Sequence, residues 1–144
     1  MPIYETLADG VKKWLNATYA TLTGTETLTN KSVTAPTING YTEGTVTANS
    51  GSAYTISIAT ATIFLLTVNA SSVALTFPAA AAGKSLLLSL RWSTTGTVSW
   101  PTSVKWAGGT APTLTNATGK ADNFGFWSDG TNWYGSITGQ NYTI

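Results

Sequence analysis

LTGTETLTNKSVTAPTINGYTEG, residues 22–44, is the stretch that decides how this chain is organised. Its large apolar residues stand singly, five or six positions apart, at Leu22, Leu28, Val33 and Ile38. That spacing matches neither the i, i+3, i+4, i+7 pattern of a helix nor the alternation of a half-buried strand. Threonine favours extended backbone, and Asn39-Gly40 predicts a turn. One copy of this segment cannot bury enough apolar surface to offset the entropy lost on ordering.

Two interpretations of this threonine-rich segment follow from its residues. It is either a flexible linker, or a ribbon that winds together with identical copies of itself. In the second case the single apolar side chains of Leu28, Val33 and Ile38 meet around a shared axis. The residues alone leave both interpretations open.

Residues 28–40, LTNKSVTAPTING, resemble the LTNKT-(I/L)-x-(A/S)-P-x-I-x-G segment of many bacteriophage tail fibres and related virion appendages. Ser32-Val33 stands where Thr-Ile or Thr-Leu is commoner. The resemblance implies an extended, intertwined stem with threefold symmetry, and therefore a homotrimer. Leu28, Val33 and Ile38 are the residues we expect to form its apolar column.

The downstream half has a second resemblance, to the terminal β-domain common to phage fibre and decoration proteins. The matching stretches are AAAAGKSLLLSL at 79–90, SVKWAGGTAPTL at 103–114 and FWSDGTNWYGS at 126–136. Together the two resemblances imply a non-enzymatic protein on the surface of the phage particle, without a cofactor, whose partners are its own copies and other capsid or tail proteins. Two functions remain open: a short fibre or capsid decoration, or a module that recognises a glycan on the host surface.

The composition limits the partners of this chain of 144 residues. Only 9% of residues are charged, against roughly 25% in a typical soluble domain. The net charge of +1 and the scattered Lys and Arg residues provide no basic surface for nucleic acid. No apolar run approaches the roughly 20 residues of a membrane helix, so we expect no membrane partner. The chain has no cysteine, which excludes disulfides and thiolate ligands.

Residues 1–21 are predicted to form a separate element, a short helix over 4–20. Its apolar residues share one face, at Leu7, Val11, Trp14, Leu15 and Tyr19. Such a face needs a partner, and its place before the stem favours an anchor that docks on the virion through Leu7, Val11, Trp14 and Leu15. The alternative is an amphipathic helix that folds back on its own domain.

Residues 45–144 are predicted to form an antiparallel, jelly-roll-like β-sandwich, so that the fold is mainly β, with domains at 1–21, 22–44 and 45–144. Short strands are expected at 45–48, 54–58, 62–68, 73–77, 85–92, 98–100, 104–106, 123–127 and 132–137. The run 62–68 is predicted to be buried on both faces. A parallel α/β sheet would need helical crossovers, and the sequence has no pattern for them.

Catalysis is not expected from these residues. There is no histidine, which removes the usual base of nucleophilic catalysis and the commonest metal ligand. A glycosidase needs two carboxylates facing each other across a sugar. Only Asp122 and Asp129 share the last hairpin, and Asp129 is typical of a turn.

The tryptophans lead to the hypothesis of a glycan contact, because sugar rings stack on exposed aromatic faces. We take Trp106, Trp133 and Tyr134 as the candidates. The alternative is that these rings belong to the core or to a subunit interface, as aromatic residues in strands usually do. Trp92 and Trp127 lie in apolar strands and are predicted to be buried.

Overall fold

A computed structural model describes residues 32–144 of the chain. The chain divides into two units, 1–40 and 41–144. The predicted anchoring helix in residues 1–21, with Leu7, Val11, Trp14 and Leu15, lies outside the described residues, and so does Leu28 of the predicted stem. In the part that is described, strands dominate and the fold is mainly β.

Nine strands follow one another in the second unit. They are β1 (Thr45–Asn49), β2 (Ala53–Thr55), β3 (Ile63–Val68), β4 (Ser72–Thr76), β5 (Ser85–Trp92), β6 (Thr97–Ser99), β7 (Val104–Trp106), β8 (Lys120–Ser128) and β9 (Trp133–Thr143). Each overlaps one of the nine predicted strands, and β8 and β9 extend several residues beyond their predicted bounds. One short 3-10 turn, Ala107–Gly109, follows β7. Within residues 32–144, no helix is long and apolar enough to span a membrane.

The strands form two sheets that enclose one core. Six strands pair in the order β1-β3-β5-β8-β9-β7, and three in the order β2-β4-β6. From β1 to β6 the chain alternates between the sheets, so that it completes three stacked coils of one strand in each sheet. β8 and β9 then extend the larger sheet as an antiparallel pair.

The core follows from the alternation of apolar residues in the strands. In β5, SLLLSLRW, the side chains of Leu86, Leu88, Leu90 and Trp92 all point inward and are almost completely buried. On β4, Val73 and Leu75 face them from the smaller sheet and are equally buried. A half-buried strand buries every second side chain, and these strands do so against one another.

The prediction of an antiparallel sandwich is wrong for most strand pairs. Among the described residues, five pairs are parallel and two are antiparallel. Parallel neighbours need a long return connection, which is usually a helix. Here the return runs through a strand of the opposite sheet: β2 connects β1 to β3, and β4 connects β3 to β5. The missing helical pattern therefore did not exclude parallel pairing.

Residues 32–44 form no strand. Val33 and Ile38 are exposed to 59% and 63%. The backbone has positive φ at Ala35 (47°) and at Gly40 (63°), the second within the predicted Asn39-Gly40 turn. The intertwined stem stays a prediction. The exposed side chains of Val33 and Ile38 are the surface that other copies would cover in such a stem.

Candidate functional site

The outer face of the six-stranded sheet exposes a tryptophan. Along β8, Phe124 and Phe126 point into the core, so the next residue, Trp127, points outward and is 56% exposed. The prediction that Trp127 is buried is therefore wrong. The alternation of β8 contained the signal: Trp127 has the opposite parity to the two phenylalanines.

Trp127 stacks on Tyr134, its direct neighbour on β9. The ring centroids are 4.6 Å apart and the planes differ by 20°. The Tyr134 hydroxyl donates a hydrogen bond to Oδ2 of Asp129 at 3.0 Å. The other oxygen of Asp129 accepts the backbone N–H groups of Thr131 (2.7 Å) and Asn132 (2.8 Å). The turn between β8 and β9 thus holds the tyrosine, and the tyrosine supports the tryptophan.

These hydrogen bonds displace both pKa values of the pair. The backbone N–H groups of Asn132 and Thr131, with the Tyr134 hydroxyl, lower the pKa of the Asp129 carboxyl because they stabilise its charged form. The hydrogen bond to Asp129 and the negative charge of that carboxylate raise the pKa of the Tyr134 hydroxyl. Asp129 is therefore charged and Tyr134 neutral around pH 7.

A depression of about 260 Å³ opens beside Trp127, and we call it the Trp127 depression. Its lining comes from β5, β8, β9 and the residues before β1: Glu43, Ser85, Leu87, Gly125, Trp127 and Ser136. Gly125 contributes no side chain, and a Cβ there would lie 3.3 Å from Cγ2 of Thr138. The glycine therefore leaves the space between its larger neighbours open.

The carboxylate of Glu43 is held in place at this depression. Oε2 accepts a hydrogen bond from the Thr62 hydroxyl, and Oε1 accepts one from the Tyr41 hydroxyl at 3.2 Å. The Ser136 hydroxyl donates weakly to the carbonyl of Gly125 at 3.3 Å. One wall of the Trp127 depression is thus aromatic, and its other sides offer a carboxylate and two hydroxyls.

A second depression, of about 250 Å³, lies on the middle of the same face. Ile63 and Leu65 of β3 line it and are half-buried, so the prediction that this strand is buried on both faces is wrong. Arg91 Nε and Asn123 Oδ1 also lie there, buried and without a hydrogen-bond partner among the described residues. This central depression is an apolar surface with one unpaired donor and one unpaired acceptor.

Of the three predicted glycan contacts, only Tyr134 lies at the Trp127 surface. Trp133 is completely buried, and its Nε1 donates to the carbonyl of Pro78 at 2.9 Å. Trp106 is half-buried among aromatic core residues, with its ring centroid 5.0 Å from that of Trp100. The sequence predicted that Trp133 and Tyr134 face opposite ways, and the sheet determines which one points inward.

The two carboxylates of the last hairpin do not face each other. Asp122 lies near the start of β8 and Asp129 just beyond its end, seven residues away, which is roughly 20 Å along an extended strand. Asp122 is fully buried and accepts hydrogen bonds from Trp92 Nε1, from the N–H and hydroxyl of Thr115, and from the N–H of Asn141. This carboxylate joins two strands and a loop, and it is not open to a substrate.

Comparison of the chain with known protein families, with curated proteins and with solved structures gave no match. The likeness of residues 28–40 and of the three downstream stretches to phage appendages therefore stays an expectation.

Proposed function

We propose that this chain is a non-enzymatic structural protein of a bacteriophage particle: a homotrimeric short fibre or capsid decoration that attaches through its N-terminal segment. The observation that supports this proposal is the exposure of Val33 and Ile38 in a segment that forms no strand. Packing of these side chains against other copies of the segment would supply a free energy of burial that the single chain does not gain.

In the proposed trimer, three copies of residues 22–44 wind together and share a column of Leu28, Val33 and Ile38. No single copy can bury these side chains, so folding of the stem and association of the chains become one event. Residues 45–144 then form an outward-facing head with a β-sandwich-like arrangement of its two sheets. The low charge of the chain is consistent with surfaces that face other subunits.

Particles that lack the protein provide the test of this structural role. Purified full-length protein is expected to bind such particles, and a variant without residues 1–20 is expected to keep its trimeric mass but lose binding to the particles. Cosedimentation with the particles and light scattering measure the two properties separately. Equal binding by the truncated protein would contradict attachment through the N-terminal segment.

Recognition of a host-surface glycan is the second candidate function, and a specific observation favours it. Trp127 and Tyr134 form a stacked pair on the surface, with Trp127 56% exposed. A tryptophan ring that is stacked on a tyrosine on one face can bind a sugar ring through its exposed surface. Purified protein that binds host cells, and loses binding when the cell-surface polysaccharide is removed, would support this function.

A further inference from the structure

We infer that the Trp127 depression is a binding subsite for a single sugar ring. The inference rests on the second candidate function and goes further, since it identifies the residues and the chemical class of the ligand. The predicted contacts Trp106 and Trp133 are not part of it. Three features of the depression support it: the supported aromatic wall, the oriented polar groups and the volume.

The aromatic wall is rigid because Tyr134 and Asp129, at the turn between β8 and β9, hold the Trp127 ring in place. Tyr134 packs at 4.6 Å against one face of the Trp127 ring, and Asp129 fixes the Tyr134 hydroxyl. Trp127 therefore loses little side-chain freedom when a ligand binds, which lowers the entropic cost of binding. A pyranose ring presents a flat set of C–H groups, and these match the apolar, electron-rich face of an indole.

The polar groups suit the hydroxyls of a sugar. The Glu43 carboxylate already accepts hydrogen bonds from Thr62 and Tyr41, and carboxylate oxygens have lone pairs for further donors. The hydroxyls of Ser85 and Ser136 can both donate and accept. A mostly apolar depression with a few fixed polar groups is the usual form of a small-molecule site.

The volume of the depression limits the size of the ligand. About 260 Å³ is below the roughly 300–1,000 Å³ of a site for a drug-sized ligand, so the depression accommodates one ring and the rest of a chain stays outside. Glu43 and Asp129 lie at this end of the sheet, and so do Lys84, which precedes Ser85, and Lys105, which pairs with Tyr134. The local charge is therefore balanced, and size selects a single hexose or N-acetylhexosamine ring.

Calorimetric titration of the full-length protein with methyl glycosides tests this assignment. The probes are the methyl glycosides of glucose, galactose, mannose, N-acetylglucosamine and galacturonic acid, together with N-acetylneuraminic acid. At least one of these sugars is expected to bind. Failure of all six to bind would overturn the subsite.

The glycoside affinities of variants at the aromatic wall test whether the sugar binds at Trp127. Trp127→Ala is expected to weaken binding about tenfold, whereas Trp127→Phe keeps an aromatic face and most of the affinity. Tyr142→Ala, which removes another exposed ring at the far end of β9, is the matched control and should bind as the unaltered protein does. Gly125→Val fills the space above Gly125 in the Trp127 depression and should abolish binding. Circular dichroism checks that this variant is folded.

The outcomes separate this subsite from the functions on which it rests. Binding of a sugar that Trp127→Ala leaves unchanged would overturn the subsite and keep glycan recognition. No binding of any probe to a protein of trimeric mass, together with no binding to host cells, would overturn both and leave the structural function in place. No binding of any probe to a protein that does bind host cells through their polysaccharide would overturn the subsite alone.

Discussion

The threonine-rich segment and the stacked coils of the head differ in what covers their apolar side chains. In the coils, Phe64, Leu66, Val73 and Leu75 are each exposed to 4% or less. In the segment, Val33 and Ile38 are exposed to 59% and 63%. Both regions are poor in charge and contain many threonines, but large apolar residues recur at every second position in the strands of the coils and stand singly in the segment.

Stacking of the coils is what covers these apolar residues. Each coil is too short to form a core, but β1, β3 and β5 pair in register, and β2, β4 and β6 do the same in the other sheet. A coil is buried because the same chain supplies its neighbours. The segment at 32–44 has no following copy of itself in the chain, so under our proposal its neighbours come from other chains.

The largest effect is expected from a charge in the proposed column. Val33→Asp places a carboxylate where three chains are proposed to meet, and burial of unpaired charges is prohibitive. We expect loss of the trimer, with monomeric or aggregated protein in light scattering. Thr37→Asp adds the same charge to the same exposed segment and is the control, which should remain trimeric. An unchanged trimer with Asp at position 33 would count heavily against the stem.

A smaller but still large effect is expected within the head, and it compares the two faces of β5. Leu88 is 1% exposed, so Leu88→Ala should lower the free energy of unfolding by about 2–5 kcal/mol. Leu87, its neighbour on the outer face, is 48% exposed, and Leu87→Ala should cost less than about 1 kcal/mol. Urea unfolding followed by circular dichroism measures both. Equal losses would contradict the assignment of inner and outer faces.

Removal of the buried Asp122 carboxylate should cause the next largest loss of stability. Asp122→Ala leaves the Trp92 indole N–H, two groups of Thr115 and the Asn141 N–H without their acceptor, which we expect to cost about 3 kcal/mol. Asp122→Asn keeps one acceptor oxygen and should cost less. The same urea experiment ranks the two variants. An alanine variant as stable as the asparagine variant would argue that these hydrogen bonds contribute little.

The smallest effect concerns the surface pair of Asp129 and Tyr134. The pKa of Asp129 is lowered on folding, so its contribution to stability is present above the ordinary value of about 4 and is lost as the pH falls through the lowered value. The pKa of Tyr134 is raised, so its contribution is present below about pH 10 and is lost as the pH rises through the raised value. Asp129→Asn should return the pKa of Tyr134 towards its ordinary value.

Absorbance titration of the tyrosines measures that change, with Tyr134→Phe as the control that identifies the titration of this residue. The loss of stability in Asp129→Asn should be small, because the pair is exposed to solvent. A Tyr134 titration that does not move in the Asn variant would contradict the contact between the two side chains.

The strands were predictable from the sequence because alternation is local. The run Leu86, Leu88, Leu90 and Trp92 indicates a strand and its inner face without knowledge of any neighbour. Pairing direction was not predictable, since it depends on where each connection returns, and here the returns pass through the opposite sheet. The turn Ser128-Asp129-Gly130-Thr131 did predict the β8–β9 hairpin correctly, with Gly130 at φ 101°.

The candidate site was only partly predictable. Tyr134 was among the predicted contacts, and the parity of Trp127 with respect to Phe124 and Phe126 could have shown that it points outward. The position of Glu43 at this site could not have been predicted. Glu43 precedes β1, and the order of strands in the sheet is what brings it near Trp127 of β8. Contacts between residues so distant in sequence have no local signal.

The central claim is that the exposed segment is covered by other copies of the same chain, and the molecular mass in solution tests it most directly. Sedimentation equilibrium of the full-length protein over a dilution series should give three times the chain mass of 15.0 kDa, about 45 kDa, at every concentration. A folded species of 15.0 kDa at working dilution would contradict the account.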